Sequence, residues 1–210
     1  MIEVRFHGRG GQGAVVASYL LACALLKEGK YAQSFPLFGG ERRGAPVQAF
    51  LRISDTPVMA RGQVYEPDHV VVLSPGLLAP ADKTAPGERI AMPGRGATGR
   101  DAVLTGLKKG GWIVINTHRG AESFDLVGFR VATVDATDIA ARHGLGSPQA
   151  RPVNTAILGA FARATGLVGL EALLDAIADE VPGQREANIA ATREAYQSTI
   201  ITGEGKDGRG

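Results

Sequence analysis

The first 27 residues limit the fold more than any other stretch. Ile2, Val4 and Phe6 alternate with Glu3 and Arg5, the period of a short strand. Gly8-Arg9-Gly10-Gly11-Gln12-Gly13 follows as a glycine-rich turn. From Ala14 to Lys27 the chain carries Leu, Ala and Val on every side, as a buried helix does, and Gly29 stands where helices stop. Strand, glycine turn and buried helix in that order open a βαβ unit. The expected architecture is therefore α/β: a Rossmann-like, mostly parallel sheet flanked by helices, with further helices at the C-terminal end.

The remaining elements fit that plan. Val47–Ile53 alternates as a strand with Gln48 and Arg52 on one face, and His69–Leu73, Trp112–Ile115 and Phe129–Val134 read as further strands. Tyr31–Ala45 reads as loop, because Phe35-Pro36, Gly39-Gly40 and Arg42-Arg43-Gly44 break any period. Thr137 is placed to cap a helix from Asp138 to about His143, while Asp135 and Asp138 read as capping residues of the same turn. Val153, Ala156, Ile157, Ala160, Phe161 and Ala164 form a helical stripe closed by Gly166. Leu170–Val181 and Arg185–Ser198 make two more helices around Pro182-Gly183. Residues 1–200 read as one domain and 201–210 as a disordered tail, glycine-rich and charged from Gly203.

Composition excludes several functions. The 210 residues carry a net charge of +2 with no basic block, so no nucleic-acid partner is indicated. The single cysteine, Cys23, cannot by itself hold an iron–sulfur cluster, a structural zinc or an internal disulfide, and its apolar neighbours suggest a small core residue. The four histidines show no metal-ligand spacing, so no metal is expected on this chain. His7, at the end of the first strand, either touches a ligand or bonds to backbone. No catalytic triad or dyad can be argued. No signal peptide opens the chain and no apolar run reaches the ~18–20 residues of a spanning helix, so a cytoplasmic protein with no membrane partner is expected.

Two motifs could carry chemistry. Gly8, Gly10, Gly11 and Gly13 would let backbone approach a phosphate at a helix N-terminus, and they are the candidate cofactor-binding residues. A dinucleotide site also wants an acid about 20 residues on, to hold the ribose; Tyr31-Ala32-Gln33-Ser34 supplies none. Another phosphate group, a subunit contact, or tight strand–helix packing without ligand all remain open. Arg42 and Arg43, in Glu41-Arg42-Arg43-Gly44, could grip a phosphate or carboxylate through paired hydrogen bonds. They could equally be solvated loop charges paired with Glu41.

Taken together, Phe6–Gly13, Tyr31–Pro36 and Phe38–Val47 resemble the gamma subunit of pyruvate:ferredoxin oxidoreductases and related 2-oxoacid:ferredoxin oxidoreductases. Gly106–Lys108 through Asn116-Thr117, Val134–Thr137 and Pro152–Gly166 extend the resemblance over most of residues 2–200. It implies an accessory, structural and gating subunit, inactive alone, inside a complex that oxidatively decarboxylates a 2-oxoacid. Thiamine diphosphate and iron–sulfur clusters would sit on the partners, namely alpha, beta and ferredoxin-like delta subunits. Electrons would pass to ferredoxin and the acyl group to coenzyme A, which could touch this chain. Glu41-Arg42-Arg43-Gly44-Ala45-Pro46 points to the pyruvate or branched-chain type, pyruvate first.

The segment from about Pro80 to Arg100 departs from the family pattern as a longer loop bearing Lys83, Arg89, Arg95 and Arg100. It is either a neutral insertion or a contact to a partner or to coenzyme A. A stand-alone nucleotide-binding oxidoreductase or regulatory module is the other functional reading, and the missing acid speaks against it.

Overall fold

A computed structural model describes residues 1–37, 44–79, 99–147 and 151–202. Among the described residues, seven strands form one sheet in the order β2-β3-β1-β4-β5-β6-β7. They are β1 (Ile2–Arg9), β2 (Tyr31–Leu37), β3 (Pro46–Ser54), β4 (His69–Val72), β5 (Trp112–Asn116), β6 (Arg130–Val134) and β7 (Ile200–Thr202). β1, β4, β5 and β6 are parallel neighbours, whereas β3 opposes β1 and β2, and β7 opposes β6. Five of the seven strands thus point one way, and the mostly parallel α/β sheet expected from the N-terminal βα unit is present.

Among the described residues, six helices accompany the sheet: α1 (Ala14–Lys27), α2 (Arg100–Leu104), α3 (Ala136–Arg142), α4 (Asn154–Thr165), α5 (Leu170–Glu180) and α6 (Arg185–Ser198). The described residues cover the two faces unequally. Val4, Phe6, Leu51 and Val114 pack with α1, α4 and parts of α3, α5 and α6 in the larger core. Val70, Val72, Ile113 and Ile115 face a smaller core closed by α2 and two short 3-10 turns, Pro75–Leu78 and Ala121–Phe124. Gly159 in α4 explains how α4 and α6 come so close. A Cβ there would stand 2.1 Å from the Thr192 carbonyl oxygen.

Several expectations need correction. Tyr31–Leu37 is an edge strand and not loop, and Pro36 is tolerated because one side of an edge strand needs no donor. The short β7 went unseen, so order extends through Thr202, into the expected tail. α3 begins at Ala136 with Asp135 as its cap: the Asp135 carboxylate accepts from the Asp138 N–H, and Thr137 lies inside the helix. β1 is a central strand, both of its faces are covered, and Arg5 is completely buried. Cys23 is half-buried and packs against the larger core instead of lying fully inside it. Residues 203–210 lie outside the described residues.

Candidate functional site

The chain leaves β1 toward β2 on one flank and returns to β4 on the other, so the C-terminal end of β1 is a point where the winding reverses. In open α/β sheets, ligands bind beside such points. The glycine turn sits there. Arg9 N–H donates to the Gln12 side-chain oxygen at 2.8 Å, and Gln12 N–H returns to the Arg9 carbonyl at 3.0 Å, which closes the turn on itself.

Each glycine serves a different purpose. A Cβ on Gly8 would stand 3.2 Å from the Ala14 Cβ and 3.4 Å from the Leu73 Cβ, so its small size lets α1 pack on β1 and β4. Gly13 has φ 83° and caps α1, and a Cβ there would lie 2.9 Å from the Cβ of Asn154. Gly11 has φ 97° and open space around its Cα. Gly10 takes no left-handed conformation. Its backbone instead donates to the Ala45 carbonyl at 2.9 Å and accepts from Gly44 N–H at 3.3 Å.

That pair of bonds brings two sequence motifs together. Gly44, with φ 85°, is the described end of the arginine loop; Arg42 and Arg43 themselves lie outside the described residues. Arg9 reinforces the contact, its Nη1 donating to the Gly44 carbonyl at 3.2 Å. Its Nη2 reaches within 3.9 Å of where a Gly76 Cβ would be, in the turn after β4. A third motif joins from the other side, since Val153 N–H donates to the Gln12 carbonyl at 3.4 Å and Asn154 covers Gly13.

Beyond β4 the same edge of the sheet opens into a cleft of about 380 Å³ between β5 and α3, lined by Pro75, Thr117, His118, Asp138 and Arg151. Its floor is a rigid clasp. Asn116 donates through Nδ2 to the Leu73 carbonyl at 2.8 Å and to Thr137 Oγ1 at 2.9 Å, while Thr137 N–H donates back to Asn116 Oδ1 at 3.2 Å. A second cleft of about 270 Å³ adjoins it through Thr117, His118 and Asp135. Asn116, Thr137 and Asn154 were not singled out as site residues from sequence. Their only signal was that they stood in stretches carrying the family resemblance, at strand ends and a helix start.

Within the chain, the hydrogen bond described for His7 is to a side chain and not to backbone. His7 is buried and accepts a hydrogen bond from Arg5 Nε at 2.9 Å. Of the cations expected in the longer loop, Lys83, Arg89 and Arg95 lie outside the described residues. Arg100 is engaged within the chain, pairing with Asp125 at 3.4 Å. Among the described residues no three His, Cys, Asp or Glu side chains are grouped to hold a metal. No described helix is long and apolar enough to cross a membrane.

The family model for pyruvate ferredoxin/flavodoxin oxidoreductase matches residues 3–198. The chain belongs to this family. It is 48% identical over 206 residues to the pyruvate/ketoisovalerate oxidoreductases common subunit gamma of Thermococcus kodakarensis, covering 96% of this chain and 98% of that one. Identity to pyruvate synthase subunit PorC of Methanothermobacter marburgensis is 46% over 204 residues, covering 97% and 100%. The crystal structure of pyruvate oxidoreductase subunit PORC from Thermotoga maritima superimposes with a TM-score of 0.74 at 35% identity, over 96% of this chain and 98% of that one. The chain is thus a gamma-type subunit of a 2-oxoacid oxidoreductase. The stand-alone nucleotide-binding module is set aside: the relatives match nearly end to end, and β2 carries no acid for a ribose.

Proposed function

We propose that this gamma-type subunit works in the cytoplasm, within a thiamine-dependent complex of alpha, beta and ferredoxin-like delta subunits, with pyruvate as the first substrate. Decarboxylation and electron transfer to ferredoxin belong to the partners. A chain with one cysteine has no ligand set for the iron–sulfur clusters that such transfer needs. Its own contribution is a wall at the C-terminal end of β1, where the glycine turn meets the arginine loop and where coenzyme A approaches the active site.

The observation that carries this reading is the backbone pairing of Gly10 with Gly44 and Ala45. It gathers Arg9 and the root of the Arg42-Arg43 loop on one side of the sheet edge. Guanidinium donors suit a ligand with several phosphate charges. Substrate choice is expected to lie elsewhere. The Thermococcus relative is named as common to pyruvate and ketoisovalerate enzymes, and a shared subunit cannot select between them.

The test is the reconstituted complex. Arg42→Ala or Arg43→Ala is expected to raise KM for coenzyme A by about tenfold or more, since a charged hydrogen bond is worth roughly 1.5–3 kcal/mol and ~1.4 kcal/mol is tenfold. KM for the 2-oxoacid is expected to stay unchanged. Intact assembly with an unchanged KM for coenzyme A in both variants would refute the coenzyme role. Weaker assembly with a normal KM would show that the arginines pair with a neighbouring subunit.

A further inference from the structure

Helix α1 has too little polar surface for the environment the chain alone gives it. Ala17, Leu20, Leu21, Ala24 and Leu25 face the core as they should. Val16, Tyr19, Cys23 and Leu26 occupy the opposite side, and their spacing of three, four and three residues makes one continuous stripe. Val16, Tyr19 and Leu26 are 44%, 48% and 55% exposed, and Cys23 is half-buried between them. Scattered exposed apolar residues mean little, but a row of them along one helix marks a contact surface.

The border of the stripe has a sign. α5 runs beside α1 and brings Asp175, Asp179 and Glu180 to its edge. Tyr19 donates to Glu180 at 2.7 Å, Lys27 pairs with Asp179 at 2.6 Å, and Asp175 lies close enough to Lys27 to raise its pKa. Lys27, with Arg185 near Asp179, is set among three carboxylates, so the border at the end of the stripe is acidic on balance.

We propose that the α1 stripe is the apolar centre of the contact with another subunit of the complex, one that presents an apolar row bordered by Lys or Arg. A second copy of this chain fits poorly, because apposing two such stripes would set acidic borders against each other. The stripe is also small beside the ~800 Å² per partner that a stable interface buries, so it suits the middle of a larger heteromeric contact. Exclusion of charge from that middle, with charge complementarity around it, is the usual anatomy of such interfaces.

This inference rests on the chain acting in a multi-subunit complex, and one experiment separates the two. The chain is co-expressed with its partner subunits and the complex recovered through a tag on a partner. Val16→Glu and Leu26→Glu, both at exposed positions, are expected to leave the melting temperature of the isolated chain within a few degrees of the parent and to reduce its recovery at least tenfold. Asp175→Lys is expected to weaken recovery in low salt and to lose that effect in high salt, where surface charges are screened. If a glutamate variant unfolds the chain, Val16→Ser with Leu26→Ser gives the same reading in weaker form. Failure of the parent chain to copurify would sink the complex itself. A parent that assembles while every stripe variant assembles equally well would overturn this inference alone. So would a homodimer of the isolated chain that the glutamate variants abolish without changing recovery of the complex.

Discussion

Arg5 Nε donates a hydrogen bond of 2.9 Å to His7 Nε2, and both side chains are fully buried on the face of the sheet away from α1. Arg5 Nη2 also donates to the carbonyls of Val103 and Thr105, at 2.7 and 2.8 Å, and so ties the end of α2 to β1. A guanidinium can only donate, so His7 Nε2 must accept. The ring is therefore neutral, with its proton on Nδ1.

That tautomer gives a pH dependence with a fixed sign. Burial first, and the Arg5 charge second, hold the His7 pKa well below the usual 6.5. His69, whose Nδ1 accepts from Trp112 N–H, is pushed down to about 4, again by burial first. In the unfolded chain both rings take up protons near pH 6.5. The folded chain cannot follow until far lower pH, so stability is complete above pH 6.5 and declines as pH falls below it. Melting temperature is expected to drop from pH 7 to pH 5, above the main carboxylate range, and His69→Gln should flatten the slope. A level profile over that interval would contradict the burial of neutral imidazoles.

The two left-handed glycines of the turn should respond differently to alanine. Gly11 has open space, so Gly11→Ala costs backbone strain alone, on the order of 1 kcal/mol. Gly13 shares that strain and in addition faces the Asn154 Cβ, 2.9 Å from the new methyl. Gly13→Ala is expected to be the more destabilising in urea titrations of the isolated chain. Equal losses would mean that Asn154 moves aside freely.

At the start of α3, Asp135 and Thr137 have separate duties that substitutions can resolve. Asp135→Ala removes a helix cap and should cost about 1 kcal/mol. Asn116→Ala strips the buried floor of the cleft of four hydrogen bonds, leaving the Leu73 carbonyl and Thr137 N–H to find other partners. An unsatisfied buried group costs ~1–3 kcal/mol, so this variant should be the worse of the two. Chemical denaturation of both tests the ranking, and a larger loss in Asp135→Ala would reverse the assignment.

The residues that misled the sequence reading did so for identifiable reasons. The opening βα unit was legible because one short stretch carries the period of a strand, the glycines and an all-apolar helix. β2 was not, because Pro36 and the alternation of Gln33, Ser34 and Phe35 resemble a loop unless a neighbouring edge is known. A period of two marks β1 as a strand but cannot tell a covered second face from an open one, so the burial of Arg5 was not legible. The convergence of Gly10, Gly44, Val153 and Asn154 depends on contacts more than 30 residues apart in sequence, and no local pattern encodes it. Thr137 and Asp135 are both good capping types two residues apart, so type alone could not choose between them.

Arg9 offers the sharpest test of the wall at the end of β1, because its hydrogen bond to the Gly44 carbonyl lies at the surface while its position is central to the motif. Its Nη1 holds the Gly44 carbonyl at 3.2 Å in an exposed hydrogen bond, worth little to the stability of the chain. The backbone pairing of Gly10 with Ala45 remains when the side chain is removed. Arg9→Ala should therefore shift the melting temperature of the isolated chain by only a few degrees. If coenzyme A approaches here as proposed, losing this cation at the root of the arginine loop should raise KM for coenzyme A several-fold, with kcat and KM for the 2-oxoacid nearly unchanged. Arg9→Lys keeps the charge but not the forked geometry, and should recover part of the loss. If Arg9→Ala lowers chain stability by several kcal/mol, the residue is a structural strut. If neither stability nor KM for coenzyme A moves, the meeting of the two motifs at Gly10 serves packing alone.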